Sequence, residues 1–108
     1  MSIYSNICFY GGGAWAQALA ITLSTLNQNS TILVSDKIRE TQINNNKSER
    51  FPNLKLSSLI KATTNREKAI KDSDLIFITT ESKRVLMAIK EISSFSKNKI
   101  NVIITSKG

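Results

Sequence analysis

Five short apolar runs recur along the chain: residues 6–10 (NICFY), 31–35 (TILVS), 59–63 (LIKAT), 74–79 (DLIFIT) and 100–105 (INVIIT). They are mostly continuous rather than alternating, which is the pattern of strands covered on both faces in a parallel sheet. Helical patterns separate them. Residues 14–27 are rich in Ala, Leu and Ile and stop at the polar run Asn27-Gln28-Asn29-Ser30. Residues 36–46 predict a weaker helix with Ile38 and Ile43 inward, fraying at Asn44-Asn45-Asn46 into a loop that contains Pro52. Thr64 with Glu67 three positions on has the form of a capping box and predicts a small helix through Lys71. Residues 82–95 are the strongest amphipathic segment, with Val85, Leu86, Ile89 and Ile92 expected on one buried face. No hairpin signal or internal repeat interrupts this alternation. The expected fold class is therefore α/β, a doubly wound parallel sheet of about five strands with flanking helices and right-handed crossovers.

Composition narrows the function classes. A length of 108 residues suits one domain, and 41% hydrophobic with 21% charged residues suits a packed core rather than disorder. The net charge of +7 favours anionic partners, but the basic residues are scattered and only 6% of residues are aromatic. A nucleic-acid surface is not expected on these grounds. A single cysteine, Cys8, excludes an internal disulfide, and the absence of histidine removes that general base and metal ligand. Cys8 lies in the first apolar run and reads as a buried structural thiol in a reducing, cytoplasmic setting. Residues 7–23 superficially resemble the apolar core of a signal peptide. The first six residues carry no basic side chain, and three glycines interrupt the run, so neither secretion nor membrane insertion is expected.

The candidate chemistry lies where the first strand ends. The stretch Gly11-Gly12-Gly13-Ala14-Trp15-Ala16 fits the pattern G-x-G-x-x-G/A between a strand and a helix. Gly11 permits the tight turn, Gly13 lets a pyrophosphate approach the backbone, and Ala16 keeps the helix close to the sheet. The helix N-terminus adds free N–H groups and a partial positive charge. Asp36 lies about 20 residues further on, past the second strand, where an adenosine ribose would sit. Its carboxylate would accept the ribose hydroxyls and repel a 2′-phosphate, favouring NAD; Ala16 in the third glycine position points the other way, towards NADP. Asp36 also suits the N-cap of the following helix. Trp15 either packs across the first helix or lines the cofactor. The expected domain is a Rossmann-type dinucleotide fold over residues 1–108, with one full half and part of the second.

In order and spacing, ICFYGGGAWAQALA, TILVSD, FPNLKLSSLIKATTN, DSDLIFITTES and VIITSKG resemble the bacterial NAD(P)-dependent glycerol-3-phosphate dehydrogenases. The resemblance covers nearly the whole chain but only the amino-terminal half of that family's length. It implies that Ala14 and Trp15 contact the cofactor, that Asp36 and Lys37 flank the ribose, and that Lys107 sits near both the nicotinamide and a phosphorylated substrate. It implies reversible hydride transfer between dihydroxyacetone phosphate and glycerol 3-phosphate for phospholipid synthesis. In the family a helical second domain carries the catalytic lysine and most substrate contacts. That domain is not expected within these 108 residues, which on this reading are inactive alone and hold no catalytic residue. Departures are Ala14 for Ser, Ala16 for Gly, Gln17 for Thr, and Thr80-Glu81-Ser82 for Val-Pro-Ser. The last puts a carboxylate beside the crevice unless Glu81 faces solvent. Other readings are a non-catalytic nucleotide-binding or interaction module, associating through the surface a second domain would cover, a decayed remnant, or a related reductase such as a ketopantoate reductase.

Overall fold

The computed structural model describes residues 4–96 and 100–105. Five parallel strands, β1 (Ile7–Tyr10), β2 (Ser30–Leu33), β3 (Ile60–Thr63), β4 (Leu75–Ile78) and β5 (Asn101–Ile104), form one sheet in the order β3-β2-β1-β4-β5. The helices are α1 (Ala14–Thr25), α2 (Lys37–Asn44), α3 (Arg66–Lys71) and α4 (Val85–Phe95), the last preceded by a 3₁₀ turn over Ser82–Arg84. Register is unshifted across the centre: Tyr10 lies beside Leu33 on one side and Ile78 on the other. The strand order reverses between β1 and β4, so the carboxyl end of β1 opens onto a crevice at the topological switch point.

Strand periodicity sorts β1 between two cores. Ile7 and Phe9 join Ala16, Ala20, Ile32, Ile43 and Ile60 beneath α1 and α2, and Phe9 stacks on Phe77 with centroids 5.1 Å apart. Cys8 and Tyr10 join Ile70, Ile76, Ile78, Ala88 and Ile92 beneath α3 and α4. Cys8 is fully buried, and desolvation pushes its thiol up to about 12, as its reading as an inert structural residue requires.

Asparagine ends both helices of the first core. Asn27 and Asn46 adopt left-handed φ values of 63° and 66°. The next amides return to the helix, Gln28 N to Leu23 O at 3.0 Å and Lys47 N to Gln42 O at 2.9 Å. These are Schellman closures built without glycine.

Three sequence expectations are corrected. Ile38 is exposed on α2, and only Ile43 of the expected pair is buried. Leu86 and Ile89 are also exposed; the face of α4 that enters the core carries Ala88 and Ile92, with Val85 and Phe95 at its margins. With this short helix at the sheet's edge, a narrower stripe is covered than its apolar pattern offers. The third correction is the cap of α3, which is Asn65 rather than Thr64: its side chain accepts from Lys68 N at 3.2 Å.

Across the second core, Arg66 of α3 grips Glu91 of α4 through Nε at 2.7 Å and Nη2 at 2.5 Å. Tyr10 OH donates to the same carboxylate and accepts from Arg66, whose guanidinium lies 5.1 Å from the Tyr10 ring centroid. The Arg66 hydrogen bond, more than any other influence, holds the Glu91 carboxyl below its usual range. A carboxyl pKa lowered by folding stabilises the fold above its unfolded value and loses that contribution as pH falls through the folded value. Arg66 is partly exposed, so solvent screening limits the effect to about 1 kcal/mol. Wild type should exceed Glu91→Gln by that amount at pH 7 in urea denaturation, and the gap should close as pH falls below about 4. A gap that persisted to pH 3 would refute the ionic origin of the clamp.

Candidate functional site

The turn after β1 is built on steric necessity. Gly11 has φ +125°, and a Cβ there would lie 2.8 Å from Thr79 Oγ1. Thr79 needs that proximity, because its hydroxyl faces the carbonyls of Tyr10 at 3.0 Å and Gly11 at 3.2 Å. Gly12 adopts no left-handed φ, but its Cβ would stand 2.6 Å from Val34 Cγ1. Gly13 differs from both. A Cβ there would meet nothing within 4 Å, so the backbone at this position borders open space.

Gly13 is the N-cap of α1, with no side-chain capping bond and no acidic residue in the first turn. The first intrahelical bond runs from Gln17 N to Gly13 O at 3.1 Å. The amides of Ala14, Trp15 and Ala16 therefore precede the helical ladder and carry its positive end. Ala16 is fully buried, as close packing of helix on sheet demands. Trp15 is 51% exposed in the same turn. It is a surface aromatic beside the turn and not a packing residue of the core.

Asp36 follows β2 at the same carboxyl edge. It is exposed and caps α2, accepting from Arg39 N at 2.7 Å through Oδ1. The N-cap role expected of Asp36 is observed, and the bond that makes the cap engages one carboxylate oxygen. Lys37 is exposed and pairs with Glu40 at 3.2 Å. Glu40 also accepts from Thr64 N at 2.6 Å, and these bonds, led by that from Lys37, hold its carboxyl below the usual range. Glu81 faces solvent, 3.4 Å from Lys83. Lys107 lies outside the described residues.

Sequence reasoning missed a set of groups behind the turn. Gln17 is 1% exposed; its Nε2 donates to Gly12 O at 3.0 Å, and its Oε1 accepts from Ser48 Oγ. Arg39 reaches the same Gly12 carbonyl at 3.4 Å through Nη1 and Glu49 at 2.6 Å through Nη2. One sequence signal was available: Gln17 lies between Ala16 and Ala20, which are i and i+4 on one helix face, so the glutamine borders the inward face.

Apart from the chemistry, the donor set fits a dinucleotide. Two glycines are packed, one is open, an uncapped helix start faces the opening, and a carboxylate stands at the end of the next strand. Such an arrangement can hold a diphosphate on backbone amides and a ribose on Asp36. Among the described residues no group of three or more His, Cys, Asp or Glu could hold a metal ion.

Known proteins share this sequence and this fold. Residues 6–108 match the model of the NAD-dependent glycerol-3-phosphate dehydrogenase N-terminus. A glycerol-3-phosphate dehydrogenase [NAD(P)+] of Rickettsia bellii is 34% identical over 110 residues, covering 100% of this chain and 35% of that protein. One from Malacoplasma penetrans is 38% identical over 98% of the chain and 32% of its own length. The crystal structure of glycerol-3-phosphate dehydrogenase from Coxiella burnetii shares the fold, with a TM-score of 0.85 at 20% identity over 96% of this chain and 33% of that one. The chain thus spans about a third of the length of the relatives it matches. It belongs to the NAD-dependent glycerol-3-phosphate dehydrogenase family, whose cofactor is NAD(P), and corresponds to the amino-terminal part of those enzymes.

Proposed function

We propose that the chain is the cofactor-binding part of a glycerol-3-phosphate dehydrogenase. The observation that carries this is the contrast within one turn: Gly11 and Gly12 are filled by Thr79 and Val34, and Gly13 is open. The pyrophosphate lies over Gly13 and the amides of Ala14, Trp15 and Ala16, with Trp15 at the rim. Asp36 takes the ribose hydroxyls, with Lys37 beside it, and its charge favours NAD over NADP. Lys107 follows β5 by three residues in sequence and is assigned to the nicotinamide and substrate phosphate, as the family resemblance implies.

The reaction proposed is the interconversion of dihydroxyacetone phosphate and sn-glycerol 3-phosphate, in the cytoplasm, for glycerophospholipid synthesis. Bound NAD(P)H supplies the hydride for the carbonyl carbon. The residues of this chain hold and orient the dinucleotide at the sheet edge. Grip on the substrate and a proton for the forming alkoxide require groups beyond these. The 108 residues alone are therefore proposed to bind cofactor without turnover.

NADH fluorescence titration should show saturable binding with a dissociation constant between micromolar and millimolar. Gly13→Ala should fold with a stability change within about 1 kcal/mol and lose at least tenfold in affinity, because the new methyl enters only the open cradle. Gly11→Ala should instead cost about 3 kcal/mol of stability from strain and overlap. No binding by wild type at millimolar NADH would remove the cofactor reading. Asp36→Ser keeps an N-cap acceptor and deletes the charge. It should improve NADPH relative to NADH by about tenfold, and an unchanged ratio would show that Asp36 does not discriminate.

A second reading, an interaction module, has one observation in its favour. All four residues of β5 are exposed at the sheet's edge, and Ile89 of α4 lines one groove with Val102 and Ile104. An open apolar edge pairs readily. Light scattering should then show association growing with concentration, and a monomer throughout the range would remove this support.

A further inference from the structure

We propose that Gln17 is a positioning residue for the diphosphate site, acting through the Gly12 carbonyl under control of the loop that follows α2. The proposal rests on the dinucleotide reading of the glycine turn.

Burying an amide side chain in an alanine-rich helix is costly unless every polar atom is used. Gln17 is 1% exposed, and both ends of its amide are engaged. Ser48 Oγ accepts from Arg50 N at 3.1 Å and from Phe51 N at 3.2 Å. Those two bonds occupy the hydroxyl's acceptor sites, so its hydrogen is donated to Gln17. The Gln17 oxygen therefore faces Ser48, and its NH₂ faces Gly12. The amide's orientation follows from valence and has no equivalent flipped state.

The consequence for the ligand follows from peptide geometry. In a trans peptide the C=O and the next N–H point in opposite directions. Holding Gly12 O on Gln17 directs the Gly13 N–H away from Gln17, at a residue whose Cβ would meet nothing within 4 Å. A second arm meets the same carbonyl: Glu49 holds Arg39 at 2.6 Å, and Arg39 reaches Gly12 O at 3.4 Å. Adjacent loop residues, Ser48 and Glu49, thus brace one peptide plane through two different side chains. Bracing matters because a preorganised amide costs no reorganisation when the phosphate arrives.

Gln17→Met keeps the side chain's length and removes both hydrogen bonds. The expected result is a tenfold or greater rise in the dissociation constants of NADH and of ADP, measured by fluorescence and by NMR titration. The weak binding of adenosine, which carries no phosphate, should change less than twofold. Ser48→Ala, which removes the anchor and leaves Gln17 in place, should weaken NADH and ADP about threefold with adenosine again unchanged; it serves as the deciding variant if Gln17→Met does not fold. Wild-type binding of NADH with unchanged ADP and NADH affinity in the folded variants overturns the positioning role and leaves the dinucleotide site standing. Equal losses for adenosine and ADP also overturn it, since they would mark a general structural defect. Failure of wild type to bind NADH would overturn both readings.

Discussion

A strand at the middle of the sheet must turn into a helix within three residues, and no side chain fits at the first two of them. Gly11 adopts a φ that L-residues rarely take, under the Thr79 hydroxyl, and Gly12 lies against Val34. Thr79 follows β4, and Val34 follows β2. The neighbouring strands on both sides therefore press on the turn, so the sheet's register and the turn's shape are one constraint. Because Tyr10, Leu33 and Ile78 are level, the first free backbone beyond them, at Gly13, opens at the switch point. A shift of one residue in either pairing would move Thr79 or Val34 away from the glycines and the cradle away from the crevice.

Local chemistry made much of this legible in advance. All five strands were recoverable to within a residue or two from their short apolar runs, although the expected cover on both faces fails for β5, which is exposed throughout, and for β3, where Lys61 is exposed. The glycine turn was legible because Gly11 and Gly12 leave no room for a side chain, and the Asp36 cap because an exposed acceptor stands between β2 and a helix. What failed was of two kinds. Ile38, Leu86 and Ile89 follow helical periodicity yet are exposed, since periodicity says which residues share a face and not how much of that face a neighbour covers. The Gln17–Ser48 and Arg39–Gly12 contacts span 31 and 27 positions, and local spacing does not reveal such pairings. The substitution of Gln for the family's usual Thr was visible as a departure; its partner was not.

Charge is distributed differently from what the net value of +7 suggests. The cations of the first turn of α2 are engaged, Lys37 with Glu40 and Arg39 with Glu49. Each pair is exposed enough that its own contribution to stability is small. Pairing leaves the unbonded amides of α1 and the Asp36 carboxylate as the distinctive electrostatic features of the edge. What this edge offers is directional, N–H groups at the start of α1 and a carboxylate acceptor at the start of α2. A surface of free lysines would attract any anion and would lose that attraction in salt.

The two sides of the sheet are unequally finished. On the β3 side, α2 covers the strands and its following loop returns to brace the glycine turn, through Leu56 in the core and Ser48 and Glu49 at Gly12. On the β5 side, Val102, Ile103 and Ile104 are exposed along with the outer face of α4. A parallel strand that is apolar on both faces has the composition of an interior strand, so its exposure leaves burial energy unrealised. That energy is not needed to form the cofactor turn, whose supports come from β1, β2, β4 and the loop after α2. The relatives are about three times as long as this chain, and the division of labour is consistent with that length. The glycine turn and its supports lie within residues 7–79, from β1 to Thr79, and the exposed apolar side chains of β5 lie on the far edge.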